Sequence, residues 1–455
     1  MTKTTEQKYT KEELLEKASK PAEEALRLHP YYKGKIQIVP KCSIWDFDAF
    51  GVWYTPGVAA SCRAIEANKA ESYRQTNRAN TIAVVSNGTR VLGLGDIGPE
   101  AGMPVMEGKS LLFKYLGGVE AVPLCIDTKD ADEIINFVKL IQPSFGGINL
   151  EDISKPECYK ILESLRNDPK IQIPVWHDDA QGTASVVTAG VLGALKHVGK
   201  EIDQVKIALL GVGSANTRTA YVLNVTGVPF KNMIMCDSKN IITSDRQDII
   251  NQKDYDPFKY DLAQKTNEEG LTGDFGVALE GADVMIAASK SEPGTVKTEW
   301  VAKMASDSIV FACANPLPEI WPWDAKEAGA KVVGTGRSDF DNQINNSLGF
   351  PGIFRGTLDV NARTITDEMC VEAARAIAEI ASRNGLRDDN IIPKMSDWEI
   401  FPYVASKVGM KAIEQGVARI TMEEDELFKM AQEQIKYARD LTKNLMDTNF
   451  IKPKI

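Results

Sequence analysis

From about residue 81 to 312 the chain alternates short apolar runs with longer helix-like segments, and this alternation constrains the fold more than any other feature. "TIAVVSNGT", "EAVPLCID", "FGGINL", "IQIPVWHD", "VKIALLG", "NMIMCD", "DVMIAAS" and "DSIVFACAN" read as buried strands. Between them stand "GKSLLFKYLGG", "ADEIINFVKLIQPS", "ECYKILESLRND", "TASVVTAGVLGALKHVG" and "ANTRTAYVLNVTG", which read as helices. Apolar strands joined through helices run parallel, with helices on both faces of the sheet. The expected class is α/β with two domains, each a mainly parallel sheet covered by helices and the second Rossmann-like. The helix starting at Thr183 is the natural joint, giving domains of 1–182 and 183–345. Residues 346–455 form a mostly helical segment expected to return to the first domain. Two further local expectations are a strand in "YKGKIQIVP" and a hairpin through Asn87-Gly88 into "RVLGLGDIG".

At 455 residues, each half can bury its own core. With 53 basic and 63 acidic residues the net charge is −10, which argues against nucleic acid or an anionic membrane as partner. The polar opening "MTKTTEQKYTKEELLEKA" resembles a charged helix and not a signal peptide. No apolar run reaches the roughly 18 residues of a membrane span. Seven dispersed cysteines without a CxxC pair read as reduced thiols, and a cytoplasmic location is expected. With three histidines in the whole chain, any metal rests mainly on carboxylates.

"VKIALLGVGSANTRTAYVL" is strand, glycine turn, helix. Gly211 and Gly213 fill the first two positions of the dinucleotide fingerprint, and Asn216 stands in place of the third glycine. Asp237 ends the next strand at the distance where a carboxylate meets the ribose hydroxyls. Asp237 favours NAD, whereas the nearby Lys239 and Arg246 suit a 2′-phosphate, so NAD and NADP both stay open.

Glu151 and Asp152 end one predicted strand, and Asp178 and Asp179 end another. Open α/β sheets bind ligands at that edge. Neighbouring strand residues point to opposite faces, so Glu151 and Asp152 share a cavity only if the chain is already turning. Carboxylates gathered there repel one another unless a cation is present, and the donor set suits a hard ion, Mg²⁺ or Mn²⁺.

The blocks "YTPGVA", "RVLGLGDIG", "EGKSLLFKY", "INLEDI", "WHDDAQGTA", "GVGSAN", "ANPLPEI" and "NQINNSLGFPGIFRG", in this order over about residues 30 to 420, resemble the signature blocks of the malic enzymes, in their short bacterial-type form. The resemblance implies oxidative decarboxylation of L-malate to pyruvate and CO₂, with NAD(P)⁺ reduced and a divalent ion required. It implies Glu151, Asp152 and Asp179 as metal ligands, Lys109 as general base and Tyr54 as general acid. Arg90, Asn315 and Asn346 would hold substrate carboxylates, and Asp178 would support the site. Gly211, Gly213, Ser214, Ala215, Asn216, Asp237, Ser238, Lys239 and Asn315 would line the dinucleotide. A homodimer or dimer of dimers is also implied. The roles of Asp178 and Asp179 are interchangeable on sequence, and Lys114 matches Lys109 on composition.

A base is required because hydride leaves C2 only as the C2 hydroxyl loses its proton. An ordinary lysine, with a pKa of about 10.4, needs burial or a neighbouring cation to serve. Three departures from the family pattern stand out: Asn216, Asn240 where glycine is usual, and a longer "SKSEPG" turn. Two rivals share parts of this reading. Malolactic conversion of malate to lactate with retained NAD(H) would use the same residues. A catalytically silent nucleotide-sensing protein would show substitutions at Lys109, Tyr54 or the carboxylates, and all are present.

Overall fold

The computed structural model describes residues 11–455, with side chains described from residue 20; the first ten residues of the polar opening lie outside the described residues. Two parallel sheets form the frame. The first contains β1 (Thr81–Ser86), β2 (Glu120–Cys125), β3 (Gly147–Leu150) and β4 (Val175–His177), in the order β2-β1-β3-β4. The second contains β5 (Ile207–Leu210), β6 (Met233–Cys236), β7 (Val284–Ala287), β8 (Ile309–Ala312) and β9 (Val332–Thr335), in the order β6-β5-β7-β8-β9. In each sheet the first strand lies between the second and third. The crossovers diverge there, and the diverging strand ends leave a crevice for a ligand.

Most strands are buried on both faces, as parallel sheets require, with β3 and all five strands of the second sheet buried throughout and the edge strand β2 only partly covered. The helix Thr183–Val198 follows β4 and is itself mostly buried, packing against the helices Ser214–Thr226 and Asp367–Arg383. The fully buried helix Phe350–Asp359 packs on Pro99–Gly117, with the Phe113 ring 4.5 Å from Phe350 and 5.1 Å from Phe354. The last long helix, Glu424–Asp447, also packs on Pro99–Gly117. Among the described residues no helix is long and apolar enough to cross a membrane.

Two local expectations fail. The hairpin does not form, because both edges of β1 are already taken by parallel β2 and β3. "RVLGLGDIG" instead makes a tight turn closed by a bridge between Val91 and Gly95. "YKGKIQIVP" forms no strand pairing among the described residues, and Ile38 within it is wholly exposed. The short strand β9, absent from the sequence reading, completes the second sheet.

Candidate active site

A cleft of about 1480 Å³ runs between the C-terminal edges of the two sheets. Its first wall carries Arg90, Lys109, Glu151, Asp152 and Asp179, and its second carries Gly211, Gly213, Ser214, Ala215, Asp237, Ser238 and Lys239. Asn315 and Asn346 also line it. Asp178 and Asn216 are buried beneath the walls.

Lys109 occupies a core position of its helix. Met106, Lys109, Ser110 and Phe113 recur at helical spacing and form the buried face. An ammonium held there needs counter-charges. Asp178 Oδ2 lies 2.6 Å from its Nζ and Glu151 Oε1 lies 2.9 Å away, while the Phe350 ring centroid stands 4.3 Å below. Lys114 is on another face of the helix, paired with Glu120, so helical phase separates the two lysines.

The carboxylates are placed by two unusual turns. Asp152 adopts φ +53°, a left-handed conformation that aspartate tolerates better than most residues. This turn lets two adjacent acids face one cavity. The second turn is a π-helical stretch, Asp178–Gly182, leading into the helix at Thr183. A side chain at Gly182 would place its Cβ 1.9 Å from Asp178 Oδ1, so glycine makes the room. Within this turn the aspartates diverge. Asp178 turns inward to Lys109 and accepts from Trp176 Nε1 at 3.1 Å. Asp179 turns outward, accepts from the Asp152 N–H at 2.8 Å, and joins Glu151 and Asp152 with one oxygen from each acid within 4.8 Å of the others.

The charge balance is uneven. Burial first, and then Asp179, push the Asp152 carboxyl up to about 8. Burial likewise holds Glu151 well above the usual carboxylate range. Lys109 departs from the expectation of a lowered value. Burial, the largest single influence, works to lower it, but Asp178, Glu151 and Asp179 together hold it above the ordinary lysine range. Buried oxygens that repel one another, including an Asp152 Oδ2 without a hydrogen-bond partner, are the donor set a hard divalent cation fits.

In the second wall, Gly211 has φ +98°, and an added Cβ would stand 2.4 Å from the Ala288 carbonyl oxygen. Asn216 performs the packing role of the missing third glycine differently: its Nδ2 donates to the carbonyls of Leu210 at 2.9 Å and Ile286 at 3.3 Å, tying the helix start to β5 and β7.

Residues 33–166 match the family model for the malic enzyme N-terminal domain, and residues 180–415 match that for the malic enzyme NAD binding domain. The chain belongs to the malic enzyme family. A bifunctional malic/malolactic enzyme of Bacillus subtilis is 45% identical over 405 residues, covering 89% of this chain and 96% of that protein. An NAD-dependent malic enzyme of Geobacillus stearothermophilus is 47% identical over 388 residues, or 85% of this chain and 78% of that one. The crystal structure of Entamoeba histolytica malic enzyme superposes with a TM-score of 0.94 at 46% identity, covering 98% of this chain and 93% of that chain.

Within this malic enzyme framework, Tyr54 stands apart. It is 72% exposed and does not line the cleft of its own chain. Sequence reasoning also missed residues that shape the cleft. Lys259 pairs with Asp237 at 2.7 Å, and Lys155 reaches the glycine turn. Neither sits in a motif that would have announced it.

Proposed function

We propose that the protein catalyses divalent-metal-dependent oxidative decarboxylation of L-malate to pyruvate and CO₂, with NAD(P)⁺ as hydride acceptor. The observation that carries this reading is Lys109 held between Asp178 and Glu151, beside the three converging carboxylates and across one cleft from a dinucleotide turn. Glu151, Asp152 and Asp179 would hold the ion, which supplies Lewis-acid polarisation of the C2 oxygen and the positive charge that makes Lys109 less basic. Lys109 accepts the C2-hydroxyl proton, and Asp178 keeps its ammonium aimed at the cleft. Arg90 grips a substrate carboxylate by a bidentate contact, and Asn315 and Asn346 orient the substrate without adding charge. Tyr54 delivers the proton to C3 after CO₂ departs.

Tyr54 needs a second copy to do this. The stretch around it exposes large apolar side chains: Ile38 at 100%, Phe47 at 90% and Trp45 at 58%. Monomers seldom leave such a surface bare, and it forms the contact of a homodimer in which Tyr54 enters the partner's cleft. Tyr54→Phe and Lys109→Arg are each inactive as homodimers. Co-expressed, they regain about a quarter of parental activity, because each mixed dimer holds one intact site. A co-expressed mixture no more active than the separate variants would rule out this arrangement.

The preferred cofactor is NADP. Asp237 Oδ1 accepts from the Lys239 and Asn240 N–H groups and from Arg246 Nη1, and Oδ2 accepts from Arg246 Nη2 at 2.8 Å and Lys259 Nζ at 2.7 Å. A carboxylate has about four acceptor sites, so none remains for ribose hydroxyls, while Lys239 and Lys259 line the cleft. The kcat/KM for NADP⁺ therefore exceeds that for NAD⁺ by about tenfold, the worth of one hydrogen bond to a charged group. An NAD⁺ preference would contradict it.

The relative named as a malic/malolactic enzyme keeps one further reaction in view. Product analysis separates the two: pyruvate with reduced dinucleotide supports oxidative decarboxylation, and lactate without net reduction supports the malolactic reading.

A further inference from the structure

Lys155 lies three residues beyond the Asp152 carboxylate, yet its ammonium is spent on the other half of the molecule. Its Nζ donates to the Val212 carbonyl at 3.0 Å and to Thr217 Oγ1 at 3.0 Å, and it pairs with Asp256 Oδ2 at 3.0 Å. Lys155 stands in the turn just before the helix Glu157–Arg166, and in the first turn of that helix the Tyr159 hydroxyl donates to the Ser214 carbonyl at 2.8 Å. One turn further, Glu163 accepts from Arg218 Nη2 at 2.8 Å. Tyr159 and Glu163, four residues apart, share one face of that helix. The face joins the segment that follows the acidic turn to the glycine turn and its helix.

The two carbonyls gripped are informative. A peptide unit is planar, so fixing its oxygen fixes the direction of the N–H on the opposite side. Holding Val212 O aims the Gly213 N–H, and holding Ser214 O aims the Ala215 N–H. Gly213 and Ala215 both line the cleft, and N–H groups at a helix start are what a pyrophosphate binds. An ammonium has three donors, and all three of Lys155 are taken by protein acceptors. Lys155 therefore acts on a ligand only through the turn. Its side chain is 8% exposed, which shields these bonds from competing water.

We propose that Lys155 and Tyr159 are positioning residues that pre-set the glycine turn for the dinucleotide pyrophosphate and lock it in register with the carboxylate side of the cleft. This rests on the dinucleotide reading of the turn and not on the identity of the second substrate.

The test is NADPH binding to the full-length chain, followed by nicotinamide fluorescence without malate or metal, for the parent, Lys155→Met and Tyr159→Phe. Mn²⁺ binding is measured in parallel from the magnetic resonance signal of the free ion. Each variant is expected to weaken NADPH by about tenfold, the worth of a lost buried hydrogen bond to the turn, with Mn²⁺ affinity unchanged. In turnover, the KM for the dinucleotide rises while that for malate holds, and Lys155→Arg recovers part of the loss. Parental NADPH affinity in the variants overturns the proposal. Equal weakening of NADPH and Mn²⁺ also overturns it, because that marks a general structural role. If Lys155→Met does not fold, Tyr159→Phe, which removes one hydroxyl, is judged by the same criteria. A parent that binds NADPH but leaves malate untouched sinks the proposed reaction and leaves this test standing.

Discussion

Arginine in place of Lys109 lowers kcat by roughly 10²- to 10⁴-fold, the range of a lost general base. Arginine is the informative choice because Lys109 has two roles. Its charge balances Asp178 at 2.6 Å and Glu151 at 2.9 Å, and its amine, once relieved of a proton, is the base. A guanidinium keeps the first role and cannot perform the second, since it stays protonated throughout the working pH range. Methionine confuses the two, because unpaired buried carboxylates cost about 3–5 kcal/mol of stability. The comparison is steady-state kinetics beside thermal unfolding. Arginine reduces turnover with stability largely kept, whereas methionine reduces both. An arginine variant with near-parental kcat would remove Lys109 from the chemistry.

Asparagine in place of Asp152 moves turnover and ion-free stability in opposite directions. The substitution keeps the backbone, since asparagine also tolerates the left-handed conformation seen at φ +53°. In the ion-free protein, burial and Asp179 push the Asp152 carboxyl up to about 8. An acid whose folded pKa is raised contributes stability that is fully present below its unfolded pKa of about 3.9 and is lost as the pH rises through the folded value. The ion-free parent therefore loses stability between about pH 4 and pH 8. The asparagine variant shows a flatter profile and is the more stable of the two above that window. Added Mn²⁺ reverses the order. It stabilises the parent by about 2.7 kcal/mol at a hundredfold excess over its dissociation constant, leaves the variant unmoved, and supports at least about 100-fold less turnover in it. Equal stabilisation of both proteins by Mn²⁺ would exclude Asp152 as a ligand.

What the sequence could convey depended on the range of each interaction. The glycine turn and the acids at strand ends are local chemistry, so the stretch 207–216 and the pairs Glu151-Asp152 and Asp178-Asp179 stood out on inspection. The division of labour between Asp178 and Asp179 is implied by the family resemblance but is not legible in the two residues themselves. It follows from a π-helical turn that aims neighbours in different directions, and that turn depends on Gly182 leaving space. Asn87-Gly88 misled for the opposite reason. The dipeptide is a sound local hairpin signal, but β2 and β3 had already claimed both sides of β1. The apolar alternation in "KIQIV" implies a strand, yet it forms no strand pairing among the described residues and leaves Ile38 bare. Lys155 and Lys259 were invisible because their partners are remote: Lys155 and Val212 are 57 residues apart and meet only when the two sheets face each other.

The most direct test of the central claim is the absorbance of reduced nicotinamide when the purified protein meets L-malate, Mn²⁺ and either NADP⁺ or NAD⁺, with pyruvate quantified in the same samples. The expected result is formation of reduced dinucleotide and pyruvate in equal amounts, faster with NADP⁺, abolished by chelation of the metal and restored by its return. No reduced dinucleotide with either cofactor, or lactate formed without it, would contradict the account.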